Sequence, residues 1–160
     1  MDAEQTRERF LVLVDQVCEE LGFPPNEEVP QADHALAMEM DGISFSVVHD
    51  LEVSPERILI ECRMGQLPED NRLPALTRLL HFNRGFFEMG EAAFSIDAVN
   101  GDVMYTHACG LHDADGRSLL AIMTEMSWQA RQWNSDYFIG EDTRASAVQE
   151  QMPLHVGSLA

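Results

Sequence analysis

Hydrophobic residues near the start of the chain recur at three- and four-residue steps, the spacing that places side chains on one face of a helix. These residues are Phe10, Leu13, Val14, Val17, Cys18 and Leu21. The pattern stops at Gly22, and Pro24-Pro25 cannot continue a helix. We therefore predict a first helix from about Ala3 to Leu21. Because its segment 10–14 is apolar on more than one face, we expect Leu11 and Val12 to contact either the deep core or a partner.

The next part of the chain alternates apolar and polar positions, the period of a half-buried β-strand. Asp41-Gly42 separates the first two strands and has the composition of a tight hairpin turn. Ser54-Pro55-Glu56 forms the turn before a third strand. The apolar positions of the three strands are Leu36, Met38, Met40, Ile43, Phe45, Val47, Ile58, Ile60, Cys62 and Met64. On the third strand Leu59, Glu61 and Arg63 point the other way, so we expect one of its faces to be exposed.

A second helix and a second hairpin follow. Pro74 is tolerated in the first turn of the helix, and we expect the helix to end near Asn83 and Gly85. Its apolar face consists of Leu76, Leu79 and Leu80. Phe94 and Ile96 then alternate with polar residues, and Asn100-Gly101 is predicted to supply the two positive-φ residues of a tight turn. The return strand contains Val103, Tyr105 and His107.

The last periodic segment is a third helix after a turn at 113–116. Its apolar stripe is Leu119, Ile122, Met123, Met126, Ala130, Trp133 and Tyr137. Beyond Ile139 the periodicity is lost, so we predict a domain over 1–138 and a flexible C-terminal tail over 139–160. The fold class expected from this order is α+β, α-β-β-β-α-β-β-α, with a twisted antiparallel sheet flanked by three helices.

Composition and charge narrow the classes of partner. The 160 residues are 45% hydrophobic, which suits one domain with its own core. Against 28 acidic residues stand 10 basic ones, all of them arginine, for a formal charge of −18. Binding to nucleic acid is disfavoured because it needs clustered cations. The acidity is typical of a solubilising surface, or alternatively of a patch that binds a basic ligand.

The cysteines and the N-terminus indicate a compartment. Cys18, Cys62 and Cys109 are an odd number, lie far apart and fall in apolar segments, as reduced and buried cysteines do. The first residues lack the basic segment of a signal peptide, and no stretch has the length of a membrane span. We expect a cytoplasmic protein that does not bind membranes.

Few residues of the sequence have the types and the spacing of a catalytic or metal-binding site. His107 and Cys109 share one strand face and His112 follows, but no fourth ligand has the spacing of a zinc site. The segment that begins at Asp113 resembles the start of an EF-hand calcium loop. It does not match the full loop, because Ser118 and Thr124 occupy the sixth and twelfth positions, where an EF-hand needs Gly and Glu. Ser118 also lacks the surroundings of a nucleophile elbow, and there is no glycine-rich phosphate loop. The sequence indicates a binding protein, not an enzyme, with neither metal nor other cofactor.

The helix-to-hairpin segment resembles a known family. Its best-matching residues are Leu79, Leu80, Asn83, Gly90, Phe94, Asp97, Gly101 and Val103. This segment resembles the class I type III secretion chaperones, the Tir-chaperone (CesT-like) family of small acidic bacterial proteins. The resemblance extends from about Phe10 to Tyr137.

The resemblance implies a function and a set of partners. It implies a homodimer with an interface formed by Leu76, Leu79, Leu80, Phe94 and Ile96. It also implies that the extended N-terminal chaperone-binding segment of a secreted effector protein docks on the first helix and adds a strand to a sheet edge. The effector-binding residues assigned from pattern and resemblance are Leu11, Val12, Leu36, Met38, Phe45, Val47 and Leu59. Secretion apparatus components are further expected partners, in the bacterial cytoplasm.

A second hypothesis belongs to another class of function. Trp128 and Trp133 make the last helix bulkier than a covering helix needs to be, which is typical of a second binding face. The alternative is a regulatory protein-interaction domain of the same α+β fold that is unrelated to secretion. A neighbouring gene for an effector would distinguish the two hypotheses.

Overall fold

A computed structural model describes residues 3–23 and 35–139. Its elements are α1 (Ala3–Glu20), β1 (Ala35–Met40), β2 (Ile43–Val48), β3 (Arg57–Gln66), α2 (Arg72–Met89), β4 (Ala92–Ile96), β5 (Asp102–Gly110) and α3 (Gly116–Asp136). The α+β class and the predicted order of elements are confirmed.

The five strands form one antiparallel sheet in the order β1-β2-β3-β5-β4. The β1–β2 hairpin closes through Asp41 and Gly42, whose φ angles of 54° and 78° lie in the left-handed region that this turn type requires. The register of β3 against β5 shifts between Arg63 and Gly65, which marks a bulge. The strands β1 and β4 are the two edges of the sheet.

One face of the sheet carries the core and the other is polar. α1 and α3 pack against each other over the covered face, whose buried side chains include Phe45, Val47, Ile58, Ile60, Cys62, Met64, Val103, Tyr105 and Phe94. On the open face the Ser46 hydroxyl donates to the Glu61 carboxylate at 2.9 Å. Nearby, Arg63 pairs with Asp102 at 3.2 Å. The predicted half-exposed third strand is therefore confirmed.

The two covering helices approach each other closely at the start of α3. Asp115 caps this helix by accepting a hydrogen bond from the Ser118 amide at 2.7 Å. The Gly116 amide donates to the side-chain oxygen of Gln16 on α1 at 3.2 Å, and Arg9 donates to the Ala114 carbonyl at 2.7 Å. These bonds attach the middle of α1 to the loop that leads into α3.

Two boundaries differ from the sequence prediction. α2 does not end near Asn83: it continues to Met89 and ends at Gly90, whose φ is 69°. The helix passes Gly85 because Phe82 and Phe86, on either side of it, pack against the ring of Phe94 and so favour helix over the local glycine signal.

The loop of the second hairpin is also longer than predicted. It spans residues 97–101, and in it Gly101 has a positive φ whereas Asn100 does not. The predicted two-residue Asn100-Gly101 turn is therefore wrong. The Asp97 carboxylate accepts from the Val99 amide at 2.8 Å, and the Gly101 amide donates to the Asp97 carbonyl at 2.8 Å. This Asx-type closure accounts for the three residues by which the loop exceeds the predicted turn.

Other predicted boundaries lie within a few residues of the observed ones or fall outside the described residues. β3 continues through Gly65 to Gln66, so the linker after it begins at Leu67. Pro74 lies in the first turn of α2, as predicted. The predicted tail falls largely on 140–160, which lies outside the described residues, as does Pro24-Pro25.

The α1–α3 contact yields a test of the fold. A Cβ added at Gly116 would lie 2.7–2.8 Å from the backbone of Gln16, which cannot move without shifting α1. We expect Gly116→Ala to lower the free energy of unfolding by about 2 kcal/mol, measured by urea denaturation. In Gly85→Ala, the control on α2, the new methyl meets nothing within 4 Å, and the change should raise stability by about 0.5–1 kcal/mol. Equal stability of the two variants would contradict the close contact.

Candidate protein-binding surfaces

The outer side of α1 carries apolar residues that the core does not use. Phe10, Leu13 and Val14 are buried, whereas Leu11 is half-buried and Val12 is 47% exposed. Apart from Val12 and Gln5, the exposed residues described on the same helix are acidic: Glu4, Glu8, Asp15, Glu19 and Glu20. The sequence left open whether Leu11 and Val12 contact the deep core or a partner. In the structure Val12 is available to a partner.

The β1 edge has backbone groups that face away from the sheet. Met40 lies opposite Ile43 across a two-residue turn, so these two residues exchange both backbone hydrogen bonds. Since bonded and non-bonded pairs alternate along an antiparallel ladder, the N–H and C=O groups of Ala35, Ala37 and Glu39 point outward. Within the described residues, β1 pairs with β2 alone.

The predicted effector-binding residues occupy three different environments. Leu36 and Met38 lie side by side on β1, half-buried, on the covered face of the sheet. Phe45 and Val47 lie on the same face but are buried in the core, where they offer a partner no surface. Leu59 is exposed on the opposite, polar face. The structure brings Leu36 and Met38 together beside the β1 edge, and it separates Leu59 from them.

The predicted dimer-interface residues also divide into core and surface. Leu79 and Phe94 are buried inside the chain, Leu76 is half-buried, and Leu80 and Ile96 are exposed. Leu80 belongs to a line of exposed apolar residues on α2 that we call the α2 stripe: Leu73, Leu80 and Phe87, which are 74%, 67% and 86% exposed.

Sequence reasoning missed Leu73 and Phe87. The three residues of the α2 stripe are spaced seven apart, the repeat with which a helix presents one seam to another helix. The repeat was visible in the sequence, but Phe87 lay beyond the predicted end of the helix. Val99, at the tip of the second hairpin, is a further exposed apolar residue that was not singled out.

The β4 edge differs from the β1 edge because α2 lies along it. The Phe94 amide donates to the side-chain oxygen of Asn83 at 2.6 Å, and the side-chain nitrogen of Asn83 donates to the Phe94 carbonyl at 2.9 Å. Asn83 therefore bonds the outward-facing backbone groups at the centre of β4. It lies within α2 and not at its end, where the sequence had placed it.

Aromatic rings fix α2 and the end of α3 to the sheet. The rings of Phe94 and Tyr105 stack 4.7 Å apart, and Phe86 lies 5.7 Å from each of them. Trp133 is fully buried, so it belongs to the core and not to a binding face. Trp128 is exposed instead and lines a groove of about 210 Å³ between α2 and α3.

Burial shifts the pKa values of titratable groups on the covered face of the sheet. His107 and Cys109 share the covered face, and burial lowers the pKa of His107 and raises that of Cys109. Burial also raises the pKa of Cys62 to about 12, which keeps its thiol neutral at physiological pH. Among the residues described, no three His, Cys, Asp or Glu side chains are placed to hold a metal ion. In those same ranges, no helix is long and apolar enough to cross a membrane.

Solved structures share this fold at low sequence identity. The HopA1–SchA chaperone–effector complex contains a chain with a TM-score of 0.65 and 15% identity, covering 84% of this chain and 98% of that one. A chain of the ExsC–ExsE complex has a TM-score of 0.63 and 17% sequence identity, and the match covers 83% of this chain and 94% of that one. The structure of the Yersinia pestis type III secretion chaperone SycH in complex with a fragment of YscM2 gives a TM-score of 0.60 and 17% sequence identity. That match covers 77% of this chain and 98% of the other. At these identities the likeness establishes the fold alone.

Comparison of the sequence itself gives a family. The curated proteins contain no match to the chain. The family model of the Tir chaperone protein (CesT) family matches residues 13–134, which include the end of α1, the whole sheet, α2 and nearly all of α3. The resemblance seen in the helix-to-hairpin segment is thus confirmed, and the chain belongs to the Tir chaperone protein (CesT) family.

Proposed function

We propose that this protein is a type III secretion chaperone that binds an extended, non-globular segment of an effector and keeps it soluble and competent for secretion. Membership of the Tir chaperone family supports this role. So does the shared fold, since its neighbours include chaperone–effector complexes. The observation that carries the proposal is the β1 edge, which no described strand other than β2 pairs with and which has half-buried apolar side chains beside it.

The β1 edge fits an extended segment both by its backbone and by its side chains. The outward groups of Ala35, Ala37 and Glu39 would pair with the backbone of an added strand. Side chains of that strand on the covered face would lie beside Leu36 and Met38, because directly opposed residues of neighbouring strands share a face. An effector segment with apolar residues at alternate positions therefore meets a surface of the same period.

The outer side of α1 supplies a second contact. Val12 offers apolar surface, and the carboxylates around it favour an effector segment that carries basic residues next to its apolar anchors. Binding must offset the entropy lost when an unfolded segment is ordered, so several weak contacts along its length are needed. The formal charge of −18 also keeps the complex dispersed.

We further propose that the protein is a homodimer formed through the α2 stripe. Leu73, Leu80 and Phe87 are exposed on one helix at seven-residue spacing, and a row of exposed apolar residues, unlike an isolated one, marks a protein-binding site. A two-fold axis would place the same stripe on both subunits, which buries it against itself. In this arrangement Leu79 and Phe94 support the interface from within each subunit.

The remaining parts of the proposal follow from binding without catalysis. The chaperone acts by mass action in the bacterial cytoplasm and hands the effector to secretion apparatus components. The alternative, a regulatory interaction domain unrelated to secretion, shares the fold, but the family assignment favours the secretion role.

Replacement of Ala37 by proline tests the β1 edge. Proline removes an outward-facing N–H and leaves the β1–β2 hydrogen bonds in place, and edge strands tolerate it. We expect Ala37→Pro to weaken binding of the N-terminal segment of an effector encoded by a neighbouring gene by about tenfold or more, measured by isothermal titration calorimetry.

Ala37→Val is the matched control, because it adds bulk at the same position and retains the amide. Its affinity should stay within about twofold of the wild type. Undiminished binding by folded Ala37→Pro would exclude strand addition at β1. If the wild type bound no effector segment, the secretion role itself would be wrong.

Replacement of Leu80 by aspartate tests the dimer. A carboxylate at the centre of the α2 stripe would be desolvated on both subunits, so we expect dissociation to shift to concentrations higher by roughly tenfold or more. Size-exclusion chromatography with light scattering would report the masses.

Val53→Asp provides the control, since Val53 is equally apolar and 81% exposed but lies in the loop before β3. It should leave the mass unchanged. A wild type that remains monomeric at micromolar concentrations, or a Leu80→Asp variant that stays dimeric, would refute the α2 interface.

A further inference from the structure

We propose that Asn83 replaces a neighbouring strand at the β4 edge and thereby restricts strand addition to the β1 edge. This inference rests on the proposed function in one respect, namely that the effector segment joins the sheet as a strand. The closure of the β4 edge itself can be measured without any effector.

The two hydrogen bonds of Asn83 have the pattern of a strand neighbour. In an antiparallel ladder, a directly opposed residue accepts from the N–H and donates to the C=O of the same residue. Asn83 makes this pair of bonds with Phe94, at 2.6 and 2.9 Å, through one planar amide group. Aspartate would retain the acceptor but lose the donor, and leucine of similar size would lose both.

The packing around Asn83 holds the amide in this position. Phe82 and Phe86, which flank it on α2, lie with their ring centroids 6.0 and 5.7 Å from that of Phe94. Phe94 is the middle residue of β4, so its outward groups are the ones that an added strand would have to pair. A foreign strand could reach them only after breaking both bonds and displacing α2.

The consequence is a sheet with two unequal edges. At β1, the outward groups of three residues face away from the sheet, whereas at β4 the central pair is bonded to α2. A chaperone that accepts strands at both edges could also pair with copies of itself, because exposed edges are templates for aggregation. Asn83 is a positioning residue that leaves each subunit one acceptor edge.

The test compares Asn83→Leu and Asn83→Asp with the wild type in the absence of effector. We expect the protection of the Phe94 amide against hydrogen exchange to fall by about tenfold or more in Asn83→Leu and by less in Asn83→Asp. Light scattering should then show concentration-dependent species of Asn83→Leu that are larger than those of the wild type.

Asn134→Leu is the matched control. Its side-chain nitrogen donates to the Met64 carbonyl at 2.9 Å, so this variant also loses a bond between a helix side chain and a strand backbone. β3 is an interior strand, however, and no edge is opened. Asn134→Leu should lose stability without forming larger species.

Two results would overturn the inference: unchanged protection of the Phe94 amide in Asn83→Leu, or equal self-association of Asn83→Leu and Asn134→Leu. If Asn83→Leu does not fold, Asn83→Ala, which also removes both bonds, decides by the same exchange measurement. With effector added, the wild type should bind one segment per subunit and Asn83→Leu two. Absence of effector binding by the wild type would contradict the proposed function and leave the exchange result standing.

Discussion

The backbone hydrogen bonds at the two edges of the sheet are the constraint on which the rest of the structure depends. Interior strands satisfy most of their N–H and C=O groups through the strands on both sides, but an edge strand must find another partner or remain exposed to water. At β4 the partner is the amide of Asn83, which ties α2 to the sheet. At β1 the described residues supply no bonding partner other than β2, so the two edges of the sheet differ in how well their backbone groups are satisfied.

The attachment of α2 to β4 also determines which apolar side chains become surface. Leu79 is turned into the core, and Phe82 and Phe86 pack against the aromatic rings of the sheet. Since successive residues of a helix are about 100° apart around its axis, Leu80 and Phe87, each one position later, lie on a neighbouring face, which is exposed. One helix thus closes a sheet edge with one face and offers an apolar seam on the next. The proposed effector surface and the proposed dimer surface lie at opposite edges of the sheet, so both can be used at the same time.

The open face of the sheet has a different role. Ser46 bonds Glu61 and Arg63 pairs with Asp102, so polar groups there are satisfied by one another. An apolar effector segment would gain little from this face, which explains why Leu59, although exposed, is a weaker candidate than Leu36 or Met38. The half-buried apolar residues of β1 lie on the covered face, next to the outward-facing backbone groups of that strand.

The sequence by itself determined the elements, because periods of two and of three to four residues report directly which side chains share a face. It also determined the hairpin at Asp41-Gly42, where the turn needs residues that tolerate positive φ. Only the tertiary structure decided that α2 continues past Asn83, that Phe45 and Val47 are core residues, and that Asn83 bonds β4. Each of these depends on contacts between residues distant in the chain, and a local pattern shows which face is apolar but not what covers it.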